Sequence, residues 1–237
     1  MNKKIFCIAF LILCIASLIE FSHQHGFPAF SMQKEKRVIV IDVGHGGNDP
    51  GKVGASGIKE KDVNLEIAGY LQDYLIAQDY IVYLTRDSDY GLYEENDSNK
   101  KSTDMRNRIQ FFSDKNANYV ISIHQNSFPD ATQHGAQTFY HSTSEASQKL
   151  AESIQDSLLT IDNTNNRVSK SSDNYYILKK STMPAVIVEC GFLSNPEETA
   201  RLTDSNYQKK LAYAISIGVC QYDNGTHKNT IQKHIQE

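Results

Sequence analysis

The chain reads as an α/β protein, a single domain with a mostly parallel twisted sheet and helices on both faces. Three observations predict it. The runs Val38-Ile39-Val40-Ile41, YVISI from Tyr119 (apolar but for Ser122) and AVIV from Ala185 show no apolar–polar alternation, the mark of strands buried on both faces. The stretches between them carry apolar residues at helical spacing. Strand and helix patterns then alternate along the chain, which selects a parallel sheet with crossover helices.

Taken in order, residues 1–22 open with the positive Met1-Asn2-Lys3-Lys4 and continue as an apolar run. This reads as a signal peptide or a membrane anchor, short for a spanning helix of roughly 20 apolar residues. Cys7 follows Phe6 and Cys14 follows Leu13, where a lipoprotein box would need a small residue. Residues 23–36 read as a linker, 37–222 as the catalytic domain and 223–237 as a flexible tail. Within the domain, a strand over 37–42 leads through a glycine-dense loop to a helix over 62–77, with Val63, Ile67, Leu71, Tyr74 and Leu75 on one face. A strand over 81–85 completes a β-α-β unit. Residues 87–102 are a polar loop, and a helix with Met105, Ile109 and Phe112 runs from Thr103 to Asn116. The strand over 119–123 ends at His124. A short strand over 135–140, a helix over 144–159 and a polar loop over 161–174 follow. Tyr175–Leu178 reads as a strand, and 185–189 as another buried one. Asn195-Pro196-Glu197-Glu198 is a helix start, with a capping side chain, proline at the first position and acids in the first turn. The last helix spans 206–220.

The 237 residues carry a net charge of −4 with no basic run of domain size, which argues against nucleic acid as a partner. Of four cysteines only Cys190 and Cys220 lie in the body; they read as small buried apolar residues, with a single bridge left open. No cysteine pair has metal-ligand spacing, so a metal here must use histidine and carboxylate. The loop GHGGNDPG lacks both the GxGxxG order and a Walker Lys-Ser/Thr, so a nucleotide cradle is a weak reading.

Three strands end in residues that carry chemistry: His45 beyond the first, His124 on the third, Glu189 on the last. Sites in open α/β sheets collect at the carboxyl ends of strands. With Glu60 across the glycine loop, four polar groups are set to converge. Two histidines and one carboxylate with an open fourth position form a catalytic zinc set, and a second carboxylate beside it serves as general base. Each residue has a plainer reading. Taken alone, Glu60 is an acid at a helix N-terminus, and either histidine is a hydrogen-bonded strand-end residue. Glu189 closes an apolar run, where a carboxylate is costly to bury without a partner. Asn126 is a candidate for holding substrate, or a strand-end cap. Arg106 and Arg108 read as a solvated helix face or as contacts to acidic peptide groups.

The motifs IDVGHGGNDPG, GIKEKDVNLEIA, TRDSD, ISIHQN and MPAVIVECGFLSNPEE extend over roughly Val38 to Tyr222. Together they resemble the zinc-dependent N-acetylmuramoyl-L-alanine amidases of bacterial cell walls. The resemblance implies that His45, Glu60 and His124 bind Zn2+ and that Glu189 is the catalytic carboxylate. It implies peptidoglycan as substrate, cut between the muramic acid lactyl group and L-alanine. One departure is Val43, where the family usually has proline. GLYEENDSNKKSTDMRNRI, GAQTFY and YYILKKSTMPAVIVECGFLSNPEE resemble the germination-specific subgroup of spore-forming bacteria. That implies a role in the spore cortex, in formation of muramic-δ-lactam, outside the membrane. With no wall-binding repeat, an accessory or membrane-anchored activator protein, or a membrane tether through the N-terminus, is the expected means of localisation. A zinc peptidase acting on the stem peptide and a non-catalytic wall-binding protein are the alternatives.

Overall fold

In the computed structural model the described residues are 35–54 and 57–225, with residues 3, 8, 10–17 and 20 of the N-terminal segment. The chain divides into two compact units, residues 1–35 and 36–237. In the first, residues 10–17 are helical, and Phe10, Leu11, Ile12, Leu13 and Ile15 are exposed. No described helix is long and apolar enough to cross a membrane. The linker expected over 23–36 falls outside the described residues except for its last two positions, and the tail expected over 223–237 except for its first three.

The second unit holds six strands: β1 (Val38–Val43), β2 (Ile81–Leu84), β3 (Tyr119–Asn126), β4 (Gln137–Tyr140), β5 (Lys170–Ser171) and β6 (Ala185–Phe192). Its described helices are α1 (Glu60–Ala77), α2 (Lys100–Asp114), α3 (Glu145–Leu159), α4 (Tyr176–Lys180), α5 (Pro196–Leu202) and α6 (Ser205–Asp223). The sheet order is β2-β1-β3-β6-β4-β5. All pairs are parallel except β4 with β6, which is antiparallel. This is the mostly parallel sheet that the uninterrupted apolar runs predict.

The two-residue strand period sorts each run onto two buried faces. Ile39, Ile41, Ile121, Ile123, Val186 and Val188 pack with α1, α3 and α6. Val40, Val120 and Ile187 pack on the other face with Phe112 of α2 and Ile177 and Leu178 of α4. Each fully buried aliphatic chain contributes about 1.5–3 kcal/mol, so neither face is free to turn outward. The α3–α6 contact needs Gly218, because a Cβ there would lie 2.5 Å from the Ile154 Cα. Its carbonyl accepts from Ser153 Oγ at 2.7 Å.

The helix signals around residue 195 hold: Asn195 Oδ1 accepts from the backbone N–H groups of Glu197 and Glu198, with Pro196 at the first helical position. Two expectations are corrected. α2 begins at Lys100 rather than Thr103, because Asn99 accepts from Ser102 N–H and caps a turn within the polar stretch. Tyr175–Leu178 is not a strand. A strand would send the neighbours Ile177 and Leu178 to opposite sides, whereas the turn of α4 puts both in the α2-side cluster. The strand of this region is instead β5, inside the polar loop. Cys190 is buried in the core and Cys220 half-buried, and both are free thiols.

Candidate active site

The α2-side face of the sheet continues beyond its apolar cluster into polar residues. Val40 is followed at the same phase by Asp42, Val120 by Ser122 and His124, and Ile187 by Glu189. His124 and Glu189 are register partners across β3 and β6, and the pairing shifts between His124 and Asn126. The shift is a bulge, which re-aims side chains at a strand end. β1 brings in His45: Gly44 N–H donates to the Ile123 carbonyl at 3.1 Å, and His45 takes the left-handed φ of 60°. Gly44 is required by close approach. A Cβ there would lie 2.6 Å from both His124 Nε2 and the Ile123 carbonyl oxygen.

The loop after His45 closes on itself through reciprocal bonds between Gly46 and Asp49, 3.0 and 3.1 Å, and then docks on α1 as Glu60 N–H donates to the Lys52 carbonyl at 2.8 Å. Glu60 is the first residue of α1. Its helix-terminus reading and its convergence on the histidines are therefore both met. Glu60 Oε1 lies 3.1 Å from His45 Nε2 and 2.9 Å from His124 Nδ1. The same oxygen accepts from Gln125 N–H at 3.0 Å, and Oε2 accepts from Lys52 N–H at 2.8 Å. Burial would raise the Glu60 carboxyl pKa; hydrogen bonds from His124 and His45 reverse this and hold it far below the carboxylate range. His45 Nδ1 faces Asp49 at 3.0 Å. Burial works against a proton on His45, but Asp49 and Glu60 outweigh it and raise the pKa to about 9. His45, Glu60 and His124 are a group that can hold a metal ion, with one ligand atom from each lying within 4.8 Å of the others.

Glu189 stands beside this group and not within it. Its side chain is almost fully buried, Oε1 accepts from Tyr175 Oη at 3.2 Å, and Oε2 has no hydrogen-bond partner. Burial, with the charge of Glu60 added, pushes its carboxyl pKa above the ordinary value. Asp42, His45, Glu60, Asn126, Tyr175 and Glu189 all line one cleft of about 740 Å³. Asn126 turns its Oδ1 onto Ser127 N–H at 2.8 Å, as a strand-end cap does.

Beneath the loop lie two arginines that the sequence reading did not place in the site. Arg86 and Arg108 are 1 % and 2 % exposed, and each donates to the His45 carbonyl at 2.8 Å. Arg86 also binds the Gly44 carbonyl at 3.0 Å, and Arg108 the Val43 carbonyl at 2.7 Å. Arg108 pairs with Asp42 at 2.7 Å, so it is neither a solvated residue nor a contact for peptide acids. Burial opposes ionisation of Asp42, and Arg108 overcomes it. Breaking one side of such a buried pair costs about 3–5 kcal/mol, which makes this pair the floor on which the His45 loop rests. Val43 N–H donates to Thr85 Oγ1 at 2.9 Å, a bond that proline at this position has no N–H to make.

Residues 39–221 match the family described as N-acetylmuramoyl-L-alanine amidase. The chain belongs to this family. It is 36% identical over 230 residues to the germination-specific N-acetylmuramoyl-L-alanine amidase of Bacillus subtilis, covering 94% of this chain and 96% of that one. The solved CwlD amidase of Clostridioides difficile, in complex with the GerS lipoprotein, superposes with a TM-score of 0.78 at 40% identity, over 80% of this chain and all of that one. A second amidase, from Clostridium difficile 630, superposes at 0.71 with 32% identity, over 80% of this chain and 97% of that one. The amidase reaction is hydrolysis of the bond between the muramic acid lactyl carbonyl and the L-alanine nitrogen of peptidoglycan.

Proposed function

We propose that the chain is a zinc-dependent amidase of the spore cortex, with His45, Glu60 and His124 as metal ligands and Glu189 as general base. The observation that carries this reading is the approach of His45 Nε2 and His124 Nδ1 to one oxygen of Glu60, at 3.1 and 2.9 Å. A tetrahedral zinc with bonds of about 2.0–2.1 Å needs donors roughly 3.3 Å apart. The two histidine-to-carboxylate separations are near this value, and all three ligand atoms lie within 4.8 Å of one another. Two imidazoles and a carboxylate are also the donors that zinc takes in hydrolases, and Asp49 on His45 Nδ1 is the outer carboxylate that orients such a ligand.

When bound, zinc supplies Lewis-acid polarisation and lowers the pKa of water to about 7. The protein supplies the rest. Glu189 accepts the proton of the attacking water and passes it to the alanine nitrogen as the carbon–nitrogen bond breaks, leaving a lactyl carboxylate and a free L-alanine amine. Burial suits it to this exchange by bringing its proton affinity nearer to that of its partners. Asn126, on the cleft wall, is assigned to holding the stem peptide.

Purified peptidoglycan tests this reading. Digestion is expected to yield intact stem peptides with a free L-alanine amino terminus in mass spectra. Chelation is expected to stop release and zinc to restore it, with the circular dichroism spectrum unchanged because the two cores close without the cleft. Cuts inside the stem peptide would instead mean a peptidase, and full activity after metal removal contradicts the zinc assignment.

The cortex role, with muramic-δ-lactam formation downstream, is supported by similarity to the germination-specific relative over nearly the full length of both chains. The C. difficile amidase is found with a lipoprotein, and we assign this chain an accessory partner on the exported side. Residues 1–22, basic and then apolar, serve as signal or tether in this scheme. Fractionation of sporulating cells followed by co-purification reads out both points. Retention in the cytoplasm contradicts export, and recovery of a fully active amidase alone removes the need for a partner.

A further inference from the structure

We infer that Tyr175 is a positioning residue for the Glu189 carboxylate, fixing the orientation in which it meets the reaction. The inference rests on Glu189 being the general base. Tyr175 Oη donates to Oε1 at 3.2 Å, while Oε2 is buried without a partner. No other side chain among the described residues hydrogen-bonds this carboxylate. A carboxylate with both oxygens free swings about its last torsion; one tied at Oε1 is held in one orientation. Proton transfer depends on such placement, because the base must sit within hydrogen-bond reach of the proton it takes.

The phenol is itself held in place. Tyr175 is the N-cap residue of α4. Ile177 and Leu178 bury that helix against the α2-side core, and the Tyr175 ring tilts against Phe139 of β4 with centroids 5.5 Å apart. Burial and the Glu189 charge both push the phenol pKa up, so it remains a donor at neutral pH. Tyr175 and Glu189 line the same cleft.

The test is Tyr175→Phe, which removes one oxygen and keeps the ring. On a soluble muramoyl-peptide, kcat is expected to fall roughly tenfold, a fraction of the about 10²–10⁴-fold that a positioned proton-transfer group supplies. KM, bound zinc and melting temperature are expected to stay at wild-type values. Unchanged kcat overturns the inference. So does a loss of kcat matched by a rise in KM, a loss of zinc or a drop in melting temperature, since each marks a merely structural role. Glu189→Gln measured alongside separates the two ideas. An inactive Glu189→Gln beside a normal Tyr175→Phe removes only the positioning role, whereas an active Glu189→Gln removes the general base itself.

Discussion

Glu189→Ala is expected to abolish release of stem peptide from peptidoglycan while the purified protein keeps its metal. The carboxylate stands outside the group of His45, Glu60 and His124, so its removal takes away no ligand. It does take away the one cleft carboxyl with an oxygen free of hydrogen bonds. A general base is worth about 10²–10⁴-fold in rate, and the loss is expected at the upper end because the other carboxylates of the cleft, Asp42, Asp49, Glu60 and Asp104, are engaged at both oxygens. Stability should not suffer. Burial already opposes the charged form of Glu189, and alanine relieves that cost while losing one hydrogen bond from Tyr175. Activity assayed on purified wall, with metal content measured on the same sample, decides the matter. Near-normal release would falsify the assignment, and loss of metal would make Glu189 a ligand instead.

Glu60→Ala is expected to lose metal and activity together, and some stability as well. Its oxygens satisfy two backbone N–H groups, Gln125 at 3.0 Å and Lys52 at 2.8 Å, besides both histidines. A buried donor left without an acceptor costs about 1–3 kcal/mol. The Lys52 bond also ties the glycine loop to α1, so His45 loses its backing when Glu60 goes. Glu60→Gln separates the two effects in part: an acceptor oxygen remains for one of the two backbone N–H groups, while the negative charge is gone. The expected order of metal affinity is wild type, then Glu60→Gln, then Glu60→Ala, read by metal analysis after dialysis against a weak chelator. His124→Ala, which removes one of the proposed ligand nitrogens and no backbone acceptor, is expected to lose metal with less loss of stability. Full occupancy in Glu60→Ala would leave Glu60 as the helix-terminus acid that its sequence position alone suggests.

Much of the fold was legible because the central strands are rich in β-branched residues, and each long helix repeats its apolar face. Where local pattern and tertiary packing disagreed, packing won. Tyr175-Tyr176-Ile177-Leu178 has the composition of a strand, yet it forms a helical turn because the α2-side cluster takes two adjacent side chains from one direction. Arg108 shows the same limit from the polar side. On a helix rich in exposed polar residues it looks solvated, and nothing nearby in sequence marks it as the partner of Asp42, 66 positions away. Arg86 lay inside a recognised motif, but the motif does not say that its guanidinium turns inward to hold three consecutive carbonyls, Val43, Gly44 and His45.

By itself, the sequence determined the α/β class, the strand ends on which His45, His124 and Glu189 stand, and the kind of chemistry those residue types can do. Those properties are local: strand period, apolar runs and the position of a polar residue at the end of each. Only the tertiary structure decided which sheet face they share, that Glu60 offers one oxygen to both histidines, and that Tyr175 anchors Glu189. These depend on register between strands and on where a crossover helix begins. A one-residue slip in β3 against β6 would send His124 to the opposite face, with no change in any local pattern.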